Sequence, residues 1–131
     1  MKVIDSSSLV KYFSKEEGWK LVKKAILDGV VTLDLAVKEV ANALWKKVLR
    51  SEISIDDANK IITDLLEAEV IKVISQDKYL TQAFKIAVEN KITVYDALFI
   101  ALAKEMNIEL ITSDAKQAEV AKEEGVSVRI I

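Results

Sequence analysis

The chain contains no cysteine and no histidine. The first absence excludes disulfides, thiolate nucleophiles and cysteine-ligated zinc. The second removes the commonest general base and the usual transition-metal ligand. Any hydrolytic site must therefore be made of carboxylates, hydroxyls, lysines or a hard cation held by oxygen. Proline is also absent and glycine occurs only 3 times, and there is no repeat, linker or low-complexity tract. No apolar run approaches the roughly 18–20 residues of a membrane helix, so no membrane association is expected. Met1 to Asp5 lacks the layout of a signal peptide, and a cytoplasmic location is expected. The charge shows little bias: 19 basic against 21 acidic residues give a net charge of −2. A nucleic-acid-binding domain is more often basic. Acids gathered at a site lower that count, however, and bound cations restore positive charge locally.

What is present is apolar. Hydrophobic residues make up 51% of 131 positions, enough for a core within one domain spanning residues 1–131. Short apolar runs alternate with longer helical patterns, the mark of an α/β fold with a largely parallel sheet. Strands are expected at Lys2–Asp5, Val30–Leu33, Val70–Ile74, Ile108–Thr112 and Val126–Ile131. Helices are expected at Ser6–Phe13, Glu16–Asp28 and Leu35–Leu49, from the capping box Ser54-Ile-Asp-Asp57 to Glu69, at Asp77–Asn90, from Thr93 to Met106, and at Ala115–Glu124. Ser6, Ser7 or Ser8 would cap the first helix. The second would turn Trp19, Val22, Ala25 and Ile26 inward. The helix Leu35–Leu49 reads as apolar over most of its circumference.

Four acids stand out against this pattern. Asp5 follows the apolar pair Val3-Ile4, and Asp114 closely follows Leu110-Ile111. Both fall at strand-to-helix turns, where open parallel sheets bind ligands, and they would share a crevice if the first and fourth strands are neighbours. An Asp at such a turn is as readily a helix cap. Asp96 lies in a helix whose nearby residues Phe99, Ile100 and Ala103 are apolar. A carboxylate there must be paired, protonated or bound to a cation, unless it only completes a capping box with Thr93. Glu39 has the small residues Ala36 and Ala43 beside it, which allow close approach, although Asn42 and Lys46 could extend it into a solvated stripe. Without histidine or cysteine, such a set of carboxylate oxygens selects Mg²⁺ or Mn²⁺, and the chemistry it suits is phosphodiester hydrolysis.

These stretches resemble the PIN-domain ribonucleases of the VapC toxin type. The likeness is carried by Val3-Ile-Asp-Ser-Ser-Ser-Leu-Val-Lys11, Glu39-Val-Ala-Asn-Ala-Leu-Trp-Lys46, Tyr95-Asp-Ala-Leu-Phe-Ile-Ala-Leu-Ala103 and Leu110-Ile-Thr-Ser-Asp114, in that order and spread over nearly the whole chain. The resemblance implies a PIN-like three-layer α/β/α sandwich around a parallel sheet of four to five strands. It implies that Asp5, Glu39, Asp96 and Asp114 bind one or two Mg²⁺ or Mn²⁺ ions, with Asp5, Asp96 and Asp114 on the main ion and Glu39 on a second ion or the attacking water. Ser7, Asn42 and Ser113 match positions that are often polar around the quartet, and they are assigned to support. Endoribonuclease activity on RNA, a homodimer and neutralisation by a cognate antitoxin follow from the same likeness.

Lys11, Lys46 and Arg50 are candidates for holding RNA phosphates near the site. Tyr12, Trp19, Leu44, Trp45 and Leu49 are either core or a surface for the antitoxin. Two rival readings remain. One is a catalytically silent PIN-fold module that binds RNA or protein. The other is a phosphate-handling enzyme with a nucleophilic strand-end Asp, but the Ser6-Ser7 after Asp5 leaves no Asp-x-Asp pair. A dinucleotide-binding domain is disfavoured because no G-x-G-x-x-G follows the first strand.

Overall fold

A computed structural model describes residues 1–131. Five strands form one parallel sheet: β1 (Lys2–Ile4), β2 (Val30–Leu33), β3 (Ile71–Ile74), β4 (Leu110–Thr112) and β5 (Val128–Ile130). Their order across the sheet is β3-β2-β1-β4-β5. The helices are α1 (Ser6–Phe13), α2 (Trp19–Leu27), α3 (Asp34–Leu49), α4 (Ile55–Glu67), α5 (Leu80–Asn90), α6 (Val94–Met106) and α7 (Ala115–Glu123).

The layering follows from the strand order. Crossovers between parallel strands are right-handed. The chain steps one way from β1 to β2 to β3, then returns past β1 to lay down β4 and β5. Helices of the first half therefore cover one face and those of the second half the other. The packing agrees, since α1 meets α2 and α3, α3 meets α4, α5 meets α6, and α6 meets α7. This is the expected three-layer sandwich. The direction reverses between β1 and β4, which pair with Val3 opposite Leu110 and Ile4 opposite Ile111. Such a switch point opens a crevice at the carboxyl ends of the strands.

Strands covered on both faces are mostly apolar. Val3, Ile4, Val30, Leu33, Leu110 and Ile111 are all buried without remainder. Helix α6 is the most buried helix, with every residue from Ala97 to Ala103 in the core. Its caps are Thr93, whose hydroxyl accepts from the Asp96 N–H at 3.2 Å, and Asn107 in the left-handed region. Ser54 caps α4 as expected, accepting from the Asp57 N–H at 3.0 Å.

Three details differ from the sequence reading. Asp5, rather than one of the three serines, caps α1 by accepting from the Ser8 N–H. Helix α2 starts at Trp19 and not Glu16, because Gly18 takes a φ of 91° that a helix cannot continue from. Helix α3 is less buried than its apolar content suggests: Leu35, Ala36, Val40 and Leu44 face the core, while Trp45 and Leu49 are exposed.

Burial sets an expected contrast in stability. Leu102→Ala on α6, at 0% exposure, should cost about 2–5 kcal/mol. Leu66→Ala on α4, at 61% exposure, should change stability by no more than about 0.5 kcal/mol. Urea unfolding of the two variants beside the wild type measures both.

Candidate active site

The crevice at the switch point is a cleft of about 370 Å³, and the four acids singled out in the sequence all line it. Each arrives on a different element. Asp5 ends β1 and caps α1, so its carboxylate is held where the strand stops. Asp114 follows β4 and caps α7, its Oδ1 accepting from the N–H groups of Lys116 at 2.9 Å and Gln117 at 3.1 Å. Asp96 sits in the first turn of α6. Glu39 comes from α3, which packs on α1, and its Oε1 accepts from the Ser6 hydroxyl at 2.6 Å. A fifth acid, Glu16, lines the same cleft from the turn between α1 and α2. The other lining residues are Ser6, Ser7, Val10, Phe99 and Gln117, so no basic side chain faces the acids.

Asp5 is the most constrained member. It is 1% exposed, and both its carboxylate oxygens accept hydrogen bonds. Oδ1 accepts from the Ser7 hydroxyl at 2.7 Å and the Ser8 N–H at 3.0 Å; Oδ2 accepts from the Thr112 hydroxyl at 2.5 Å. Burial pushes its pKa from 3.8 up to about 6, even though these three donors pull it down, and the nearby charge of Asp96 adds a small upward push. Asp96 is also raised, by burial first, then by the charges of Asp114 and Glu39. Its backbone N–H donates to the Thr93 hydroxyl, which also pulls back against the shift, but its carboxylate takes no bond from the Thr93 main-chain N–H, so the reciprocal half of a capping box is missing.

Other expected site residues are placed as follows. Ser7 bonds Asp5 and also accepts from the Ser113 N–H at 2.9 Å. Ser113 pairs its hydroxyl with that of Ser8 at 3.0 Å. Both hold the β1 and β4 turns together. Asn42 is exposed and does not line the cleft. Lys11 donates to the Ile131 carbonyl oxygen at 2.7 Å, and neither it nor the exposed Lys46 and Arg50 borders the acids. The sequence reading passed over Ser6, Thr112, Glu16 and Gln117. Gln117 lies three residues after the cap Asp114, on the helix face that turns back to the strand end, and that spacing was the available signal.

The donors are all oxygen, and no basic side chain in the cleft compensates their like charges. Such a set fits a hard divalent cation. No three acidic side chains are drawn together tightly enough to hold an ion by themselves. Mg²⁺ is commonly held by one or two carboxylates, with water and substrate phosphate completing the shell, and the open cleft suits that mode. Two hollows of about 600 Å³ each lie away from the acids. One is bordered by Tyr12, Phe13, Trp19 and Leu44, the other by Lys72, Tyr79 and Met106.

With this geometry in place, the comparisons with known proteins give the class. Residues 2–123 match the family described as PIN domain. The chain belongs to the PIN-domain family. Within it the similarity is to VapC-type proteins of Pyrobaculum aerophilum. It is 36% identical to Ribonuclease VapC3 over 89% of this chain and 92% of that one. It is 27% identical to Exonuclease VapC9 over 86% and 79% of the two chains. The crystal structure of PAE2754 from the same organism superposes with a TM-score of 0.73, over 97% of this chain and 89% of that one, at 24% identity.

The raised pKa of Asp5 has a definite consequence without metal. The folded state binds this proton more tightly than the unfolded chain, so it holds more protons between the two pKa values. Stability therefore falls as pH rises through that window and levels off above about 6. The Asp5→Asn variant lacks this titration. In chelator, the unfolding free energy of the wild type relative to Asp5→Asn should drop by about 2 kcal/mol between about pH 4 and pH 7. Urea titrations at several pH values check this; a constant difference would remove the assignment.

Proposed function

We propose that this chain is a Mg²⁺- or Mn²⁺-dependent endoribonuclease and the toxin of a toxin–antitoxin pair, acting in the cytoplasm. The observation that carries the reading is the meeting of Asp5, Glu39, Asp96 and Asp114, from four separate segments, in one cleft without a base. The similarity to Ribonuclease VapC3 supports RNA as the substrate.

Asp96, whose carboxylate meets no basic side chain, and the free oxygens of Asp114 and Glu39 would hold the cation, with Asp5 at the floor of the cleft. A divalent ion there supplies charge neutralisation for the phosphate and a lowered pKa for the attacking water. The protein's own part is positional. Ser6 holds Glu39, and Ser7, Ser8 and Thr112 hold Asp5, so neither carboxylate must reorganise when the phosphate arrives. Lacking a histidine or cysteine nucleophile, the residues favour in-line attack by water without a covalent intermediate. Basic residues that contact RNA would lie outside the acid cleft; Lys46 and Arg50 are free at the surface for this, whereas Lys11 must first leave the Ile131 carbonyl. Exposed Trp45 and Leu49 on α3 and Leu80, Phe84 and Val88 on α5 are consistent with an antitoxin and a second copy of the chain as protein partners.

The open spacing of the acids favours a second reading, a PIN-fold module that binds without cleaving. Incubating end-labelled linear RNAs and a circular RNA with Mn²⁺, Mg²⁺ or EDTA separates these cases. Metal-dependent opening of the circle is expected, with activity at least about 100-fold lower in Asp96→Asn. Cleavage of linear RNA alone would make the enzyme an exonuclease, as the second relative is named. No cleavage of any RNA would leave the binding module.

A further inference from the structure

Gln117 is a long polar side chain on a part of α7 otherwise buried through Ala118, Val120 and Ala121. It is 3% exposed. A buried amide is unfavourable unless its hydrogen bonds are met, so its partners explain its presence. Its Nε2 donates to the main-chain oxygen of Asp96 at 2.9 Å. Its backbone N–H donates to Asp114 Oδ1 at 3.1 Å. Its Oε1 lies 3.5 Å from the Thr112 hydroxyl, whose single proton is already given to Asp5 Oδ2 at 2.5 Å, so this third contact is the weak one. The Asp96 carbonyl can only accept, and this fixes which end of the amide faces it.

One residue thus ties α6 to α7 at the points where each carries an acid of the cleft. Those two acids repel one another, and no basic side chain in the cleft offsets them. The tie uses a main-chain atom of Asp96, which leaves its carboxylate free for a ligand.

We propose that Gln117 is a positioning residue that holds the Asp96 and Asp114 carboxylates at a set separation against their mutual repulsion, so that a divalent cation meets a site already assembled. The proposal rests on the cation-site reading of the cleft given above. Gln117 acts through Asp96 and reaches no reacting atom. An apolar side chain of similar length fills the same space and preserves the fold, but it releases the first turn of α6 from α7. The cation must then draw the acids together as it binds, and its affinity falls. Residues that orient metal ligands in this way typically govern about 10–100-fold in affinity.

The test is Mn²⁺ binding without RNA, followed by loss of the free-ion electron paramagnetic resonance signal, for wild type, Gln117→Met and Asp96→Asn. Thermal melting in EDTA runs alongside. The expected result for Gln117→Met is a Kd for Mn²⁺ raised about tenfold or more, with melting in EDTA unchanged. RNA cleavage by this variant should recover as Mn²⁺ is raised, with KM for RNA unaltered. A purely structural role would instead lower the melting temperature and leave the affinity of the folded protein where it was. If Gln117→Met does not fold, Gln117→Leu is read by the same criterion. Equal Mn²⁺ affinity in the wild type and the folded variant overturns the role of Gln117 alone. Failure of the wild type to bind Mn²⁺ overturns the cation-site reading, and this proposal with it.

Discussion

The pairing of β1 with β4 is the contact on which the site depends, because it brings together two acids that are 109 positions apart in the chain by their numbers, Asp5 and Asp114. Like charges do not gather of their own accord. They are held here because Val3 and Ile4 of β1 and Leu110 and Ile111 of β4 are driven into the same core, and the strands end at the same level. The energy that assembles the cleft is therefore hydrophobic and lies beneath it, while the groups at its surface are set against one another. Thr112 and the serines that follow β1 connect the two halves: Thr112 on β4 bonds Asp5 on β1, and Ser7 beside Asp5 accepts from Ser113 beside Asp114.

Asp5 and Asp114 each serve two purposes. In the sequence, a helix cap and a site acid were alternative explanations for an Asp at a strand-to-helix turn. In the structure the two are compatible. One carboxylate oxygen of each accepts backbone N–H at the start of a helix, which holds the side chain among the residues that line the crevice. The cap thereby fixes the direction of the acid. Asp96 differs, since Thr93 supplies the cap and the carboxylate meets no basic side chain. Its raised pKa follows from that arrangement: burial and the charges of Asp114 and Glu39 push upward, and only the Thr93 hydroxyl beside the carboxylate opposes them. An acid so placed is stabilised by a cation more than by any group the chain itself provides.

The surface distributes its apolar residues unevenly. Leu80, Phe84 and Val88 recur at a spacing of four along α5 and are exposed, as are Trp45 and Leu49 on α3. Helical spacing alone makes such residues core by default. They are not core here because α5 already buries its other side, Ala83, Ile86 and Ala87, against α6. A helix of the outer layer has one face to spend on the sheet, and its second apolar face remains outside.

Much of this protein was legible along the chain. The alternation of apolar runs determined the five strands and the helices between them, because burial on both faces favours apolar residues in a strand and helix periodicity demands one face of each kind. The four acids were visible locally: Asp5 and Asp114 stand at the ends of apolar strand runs, Asp96 lies in an apolar helix, and Glu39 has the small residues Ala36 and Ala43 beside it. What tertiary structure alone decided was contact between distant segments. Glu39 reaches the cleft because α3 packs on α1, and Ser6 becomes its partner by that packing. Lys11 turned to the Ile131 carbonyl rather than to the cleft, and Asn42 stayed in solvent, although both lie within stretches that resemble the family. Gln117 was passed over in the sequence, and its bond to the Asp96 main chain exists only because α7 lies beside α6. Periodicity reports which side of an element faces inward; it carries no information on which other element that side meets, and a hydrogen bond between segments depends on both.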